Sequence, residues 1–419
     1  MRAKFPRTVI TAVAAGLAVA AAGPLAAQSA SASVVPKVSV PCNVSTLASD
    51  LSGAFSGETL QLAQGCTYVL ASALPTISTD LTLLGHSSTL ERSLSGSPPD
   101  FSILSVTAGD VSISGVNFVN GHAASEGGGI YSDGGNVTVS GGTFSGNDAG
   151  DYGGAIYSDG ALSVTGSTFT DNAAPGEYGG AIYNDYDATI SNSNFRGNTS
   201  YEGGAVYTAY NMTLANSVFS ENSAEYGGGL YVDDDGISSI TASSFLGNEA
   251  EYGGGVYNYG YDTTFLDTNF SSNGADSEGG GIDNDYYMTL IGSFFSYNSA
   301  PAGGGVYTTS DLVAAEGTSF TSNWAIVGGG LYVEDYATLT GTSFKRNSVD
   351  EAGGAIYVDA DHLTLQSTSI TANSAPNGGG GGIFDDSGAS SVALVGTNQI
   401  FSNSGGNCAP AVTVDGCTG

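Results

Sequence analysis

Carboxylates are the side chains whose types and spacing suggest chemistry in this chain. Its 419 residues include 40 Asp and Glu against 8 Lys and Arg, a formal net charge of −32. Many of these acids recur in register. One set, Asp133, Asp159, Asp185, Asp233, Asp285, Glu334, Asp359 and Asp386, falls two residues after a position that is usually aromatic. A second, Glu126, Asp151, Glu177, Glu202, Glu225, Glu251, Glu278 and Glu351, falls just before a pair of glycines. At Asp283 an acid replaces the aromatic residue itself, with Asp285 two positions on and Glu278 upstream. Like charges held close repel, and a hard cation relieves that repulsion by taking carboxylate oxygens. The expectation is a weak Ca²⁺ site formed by Asp283, Asp285 and Glu278. The same acids also have a plain reading as solubilising turn residues.

Hydrolytic chemistry of the two-carboxylate kind needs a defined acid pair. Adjacent acids occur at 233–235 and 385–386, but His86, His122 and His362 are far from both in sequence and read as turn residues. The glycine pairs have no following Lys, which excludes a phosphate-cradling loop. No catalytic or cofactor-binding residue is assigned. A surface this acidic repels nucleic acid and anionic membranes, both of which need Lys or Arg to neutralise phosphate.

The elements that position these acids follow from a repeat. Phe-x-x-Asn recurs at Phe144/Asn147, Phe169/Asn172, Phe195/Asn198 and onward to Phe344/Asn347, spaced by 24 to 26 residues, with Ile370/Asn373 and Ile400/Asn403 continuing it. In step runs a Gly pair followed by an aliphatic residue and then Tyr, ending Ile130-Tyr131, Ile156-Tyr157, Ile182-Tyr183 and so on to Ile383-Phe384. Between them lie alternating segments such as Val137-Thr138-Val139, the period-two signature of a strand with one buried face. Repeats of this length without a Leu framework, and too short for a propeller blade, predict an all-β, right-handed parallel β-helix solenoid with coils of about 25 residues. Stacked coils place equivalent residues above one another, so the Phe, Asn and aliphatic positions become ladders. If the aliphatic residue faces inward, the Tyr faces outward.

The ends differ from the middle. Residues 1–32, with Arg2, Lys4 and Arg7 before an apolar stretch and small residues, read as a secretory signal peptide. Residues 33–110 read as an N-terminal cap and first coils, 111–405 as the regular repeats and 406–419 as a C-terminal cap. Val44, Leu47, Ala48, Leu51 and Phe55 form a helical stripe suited to cover the first coil. The four cysteines sit near the two ends, and export favours disulfides. Proximity along a solenoid points to Cys42–Cys66 and Cys408–Cys417. No integral membrane segment is expected in the mature chain.

Gly-Gly-Ala-Ile-Tyr at 153–157 and 353–357, together with Phe-x-x-Asn, resembles the repeats of the polymorphic outer membrane proteins, within an architecture similar to the pectate-lyase superfamily. The resemblance covers about residues 110–405. It implies a secreted or cell-surface, adhesin-like protein whose partner is an extracellular glycan or surface protein. The pectate-lyase likeness implies the alternative, a polysaccharide lyase or glycoside hydrolase. Such a lyase works with Ca²⁺ and an Arg base, for which Arg196 is the first residue to test, although its spacing from Asp171 and Glu221 predicts an ordinary ion pair between coils. The leading reading is therefore a non-enzymatic repeat protein of the cell exterior.

Overall fold

The computed structural model describes residues 37–419 except 97, 234–235, 315, 360–361, 377, 388–390, 411–416 and 418–419. The segment read as a signal peptide lies outside the described residues. From Lys37 the chain winds as a parallel β-helix, every ladder pairing one coil with the next. Each regular coil repeats one path. In one, Ile156–Ser158 lies in a narrow sheet, Leu162–Thr165 and Thr168–Thr170 form two bent halves of a wide sheet, and Ala173–Tyr178 enters a third sheet. The narrow sheet has thirteen strands among the described residues. At about 4.8 Å per step this is a rod of roughly 60 Å.

Alternation sets what fills it. Leu162, Val164, Phe169, Ile156 and Ala174 face inward and are buried, while their neighbours along each strand face out. Ten Phe rings, from Phe118 to Phe344, stack through the interior with centroids 4.6–5.0 Å apart. The corner between the third and narrow sheets needs glycine. At Gly253, φ is +64° and an added Cβ would lie 2.3 Å from the Val256 carbonyl oxygen.

The Asn of each Phe-x-x-Asn is buried and joins three coils. Asn248 accepts from the backbone N–H of Asn222 (3.1 Å) and from its Nδ2 (2.9 Å). In turn Asn248 donates from N and Nδ2 to Oδ1 of Asn273 (3.0 and 2.9 Å), and from Nδ2 to the Phe219 carbonyl (3.1 Å). The same pattern runs from Asn147 to Asn403.

The first coil is closed by the helix Val44–Gly53, which buries Leu47 and Leu51 and is capped by Asn43, whose side chain accepts from Thr46 N. Phe55, expected on the helix stripe, falls beyond the C-cap and is exposed, because the helix stops at Gly53. Disulfides join Cys42 to Cys66 and Cys408 to Cys417. No helix among the described residues is long and apolar enough to cross a membrane.

Asn248→Ala is expected to destabilise the protein by about 3 kcal/mol, since it leaves buried donors of Asn222 and the Phe219 carbonyl without partners. Chemical denaturation measures this. A loss under about 0.5 kcal/mol would show that the Asn ladder is not needed.

Candidate functional site

The outward side of the narrow sheet carries the aromatic column. Rings stack from Tyr131 through Tyr157, Tyr183, Tyr207 and Tyr231 to Tyr257, 5.0–5.4 Å apart. After Asp283 the stack resumes from Tyr307 through Tyr332 and Tyr357 to Phe384. Because each ring covers the face of the next, the ladder turns its hydroxyl edge, not its π-face, to solvent. Four of these hydroxyls donate to the acid set that follows the aromatic position, one coil on, while Tyr183 donates to Asp185 of its own coil at 3.5 Å. Tyr207 bonds Asp233, Tyr257 bonds Asp285, Tyr307 bonds Glu334, and Tyr357 bonds Asp386 at 2.7 Å. Burial, with the carboxylate acceptors, pushes these phenols well above the usual tyrosine range.

The acids before the glycine pair, a single set in the sequence, separate into two in space. Glu126, Glu202 and Glu278 share one column with Tyr152, Tyr178, Tyr226 and Tyr252. This column flanks the Tyr ladder, with Tyr178 4.6 Å from Tyr207 and Tyr152 5.1 Å from Tyr183. Asp151, Glu177, Glu225, Glu251 and Glu351 lie one residue earlier, where alternation turns a side chain the other way, although Glu177 still accepts the Tyr152 hydroxyl. Glu225 and Glu251 line a groove of 530 Å³ with Glu249 and Asp276. Glu202 is the most affected of its column. Burial, then repulsion from Asp233, Glu177 and Glu225, raises its carboxyl to about 7. Glu126 and Glu278 are raised for the same leading reason.

The expected Ca²⁺ residues share a coil but hold different surroundings. Asp283 is only 2% exposed, and its Oδ1 has no hydrogen-bond partner. Asp285 is occupied, accepting from Tyr257 and from Thr309 Oγ1 at 2.8 Å. Glu278 sits in the flanking column. Among the described residues no group of three or more Asp, Glu, His or Cys has an arrangement that holds a metal ion. Sequence spacing places acids on one coil without saying which oxygens the Tyr hydroxyls already use.

Arg196 forms the ion pair between coils, donating to Glu221 Oε2 at 2.9 and 3.1 Å with both side chains exposed. The pair at 385–386 diverges: Asp385 is buried and accepts from Ser387 and Ser391, whereas Asp386 takes the Tyr357 hydroxyl. His122, read as a turn residue, is more engaged than that. Its Nδ1 is 2.9 Å from Asp148 Oδ2 and its Nε2 3.4 Å from Asp100 Oδ1, with Arg92 3.9 Å from Asp100. Asp148 stands one coil from His122, so the repeat length was the signal for that contact.

A row of exposed tyrosines went unnoticed in the sequence. Tyr186, Tyr210, Tyr261 and Tyr286 occupy the turns that join the narrow sheet to the wide one, and Tyr287 and Tyr336 begin the strands that follow. They are between 36% and 67% exposed. Tyr186 and Tyr210 stack at 6.0 Å, Tyr336 stacks on His362 at 5.4 Å, and Tyr286 meets Tyr259 edge-on, so these rings pair in short runs instead of one continuous ladder and stay more exposed than the ladder. Asp185, Asp187 and Asp262 border it. Tyr186, Tyr210, Tyr261 and Tyr286 hold one register position and Tyr287 and Tyr336 the next, but other coils carry Gly or Ser there, as at Gly160, Gly236 and Ser310, so no unbroken column marked them in the sequence.

Residues 101–237 and 228–406 match the family described as right handed beta helix region. Tailspike protein 3 of bacteriophage CBA120 is a structural neighbour at 12% identity and a TM-score of 0.42, over 88% of this chain and 59% of that one. The chain thus spans about three fifths of the tailspike's length. No curated protein matches it in sequence.

Glu202 supplies a test of the site's electrostatics. A folded-state carboxyl at about 7, against an unfolded value near 4.5, means that the folded protein binds the extra proton between those values. Its contribution is therefore favourable below pH 4.5 and lost as pH rises through 7. In melting curves from pH 4.5 to 8, Glu202→Gln is expected to reduce the fall in Tm. An unchanged pH profile would show that Glu202 ionises as an ordinary surface acid.

Proposed function

Because the chain belongs to the right handed beta helix region family, its surface is a set of side-chain columns, and we propose that it is a secreted or cell-surface, non-enzymatic repeat protein that binds a neutral glycan along the tyrosine corner. The observation that carries this reading is the row of exposed rings, bordered by carboxylates, from Tyr186 to Tyr336. Sugar C–H faces pack on aromatic faces, and sugar hydroxyls donate to carboxylates. The net charge of −32 disfavours polyanionic chains such as uronic-acid polymers. The disulfides at both ends fit an oxidising exterior. The likeness of the repeats to those of the polymorphic outer membrane proteins agrees with an adhesin-like or wall-associated role.

One observation favours the alternative of a glycoside hydrolase: Asp100 and Asp148 both contact His122, with Arg92 at Asp100. Against it, both ring nitrogens face carboxylates and leave none for a substrate proton.

A glycan array of the mature protein is expected to show binding to neutral oligosaccharides and none to uronic-acid polymers. Tyr186→Ala and Tyr261→Ala should each weaken binding about tenfold, the loss of one stacking contact, with Tm unchanged. Bound glycan should be recovered intact, without new reducing or unsaturated ends. Binding unaffected by both variants would refute the corner as the site, and cleavage lost in Asp148→Asn would establish the hydrolase reading instead.

A further inference from the structure

The Tyr ladder has one missing rung. Asp283 pairs through its backbone with Tyr257 on one side and Tyr307 on the other, in the register that elsewhere carries a ring. Steps of 5.2 Å before the gap and 4.9 Å after it place the Tyr257 and Tyr307 rings roughly 10 Å apart, two coil rises. The layer between them lacks a ring, and a short carboxylate forms its floor.

That carboxylate is incompletely partnered. Asp283 receives the Asn284 backbone N–H, but Oδ1 has no donor although the side chain is buried. Nearby donors are committed elsewhere, since the Tyr257 hydroxyl bonds Asp285 and the Tyr307 hydroxyl bonds Glu334. Glu278, Asp285 and Glu334 add negative charge around the gap. A buried carboxylate oxygen left without a donor costs free energy, which a bound cation donor relieves.

We propose that the gap at Asp283 is a binding slot for a planar organic cation, the guanidinium group of an arginine side chain, which takes the place of the missing ring. A flat group midway between the two rings is about 5 Å from each, within cation–π reach of both. Its N–H groups also meet the Asp283 carboxylate in the paired geometry that guanidinium forms with carboxylates. A compact ammonium satisfies the charge but does not fill the layer. Asp283 is 2% exposed as the rings stand, so entry requires one bordering ring to swing. Tyr307 stands furthest out of line, tilted 30° against Tyr332 where other neighbours in the ladder differ by 5–21°. This site is separate from the glycan-binding corner and implies a basic protein partner. Burial and the surrounding acids raise the Asp283 carboxyl well above the usual range, so the slot fills better as pH rises and the acid ionises.

Isothermal titration of the whole mature protein at low salt and pH 8, with N-acetyl-arginine amide, N-acetyl-lysine amide and CaCl₂ as probes, tests the proposal. One saturable site is expected for the arginine probe, at least about fivefold tighter than for the lysine probe. Asp283→Tyr, which restores the ladder, and Asp283→Asn, which keeps the shape and removes the charge, should both abolish it. Their melting temperatures show that each is folded. Equal binding of the arginine and lysine probes, a tighter response to Ca²⁺, or unchanged binding in Asp283→Tyr would each overturn it.

Discussion

The backbone of this fold and its buried Asn ladder are satisfied by the coil above or below, and the rest of the structure depends on that constraint. A helix completes its hydrogen bonds within one segment, and a coil of this protein completes almost none alone. The Asn ladder is the clearest instance: one amide accepts from the preceding coil and donates to the following one, while its Nδ2 also reaches back to a Phe carbonyl. Coils must therefore stay in register to within an atom's width. Exact superposition follows, and with it the interior stack of Phe rings and the continuous aliphatic columns.

The same register governs the outside. A Tyr repeated in every coil stacks on itself, and its faces are consumed by its neighbours. What remains is a hydroxyl edge, which at Tyr207, Tyr257, Tyr307 and Tyr357 bonds the next coil's carboxylate. The most regular surface feature is thus mostly scaffold. On the proposed function, recognition falls instead to the corner turns, whose tyrosines are present in some coils and replaced in others, and to the interruption at Asp283. In a solenoid, regularity builds the rod and irregularity gives it an address.

The fold was legible because its determinants are periodic. Phe-x-x-Asn and Gly-Gly-aliphatic-Tyr marked each coil, and the cysteines near each end marked the local disulfides. The candidate site was legible only in part. Asp283 stood out as the one acid in an aromatic column, but its burial and its unpartnered oxygen depend on the two rings beside it. Glu202 and Glu225 looked equivalent because both precede a Gly pair. One residue of offset along a strand turns one toward the Tyr ladder and the other toward the acidic groove. His122 meets Asp148 across coils and Asp100 from an irregular loop, and only the former obeys the repeat.

On the proposed function, the exposed rings of the corner, not those of the stacked ladder, contact the ligand. Nitration of tyrosines followed by mass mapping, with and without a saturating neutral oligosaccharide, tests this directly. Modification is expected at Tyr186, Tyr210 and Tyr261 and is suppressed by the glycan, while the buried Tyr207 stays unreactive throughout. Protection confined to the ladder, or a corner that nitrates equally with glycan bound, would contradict that contact.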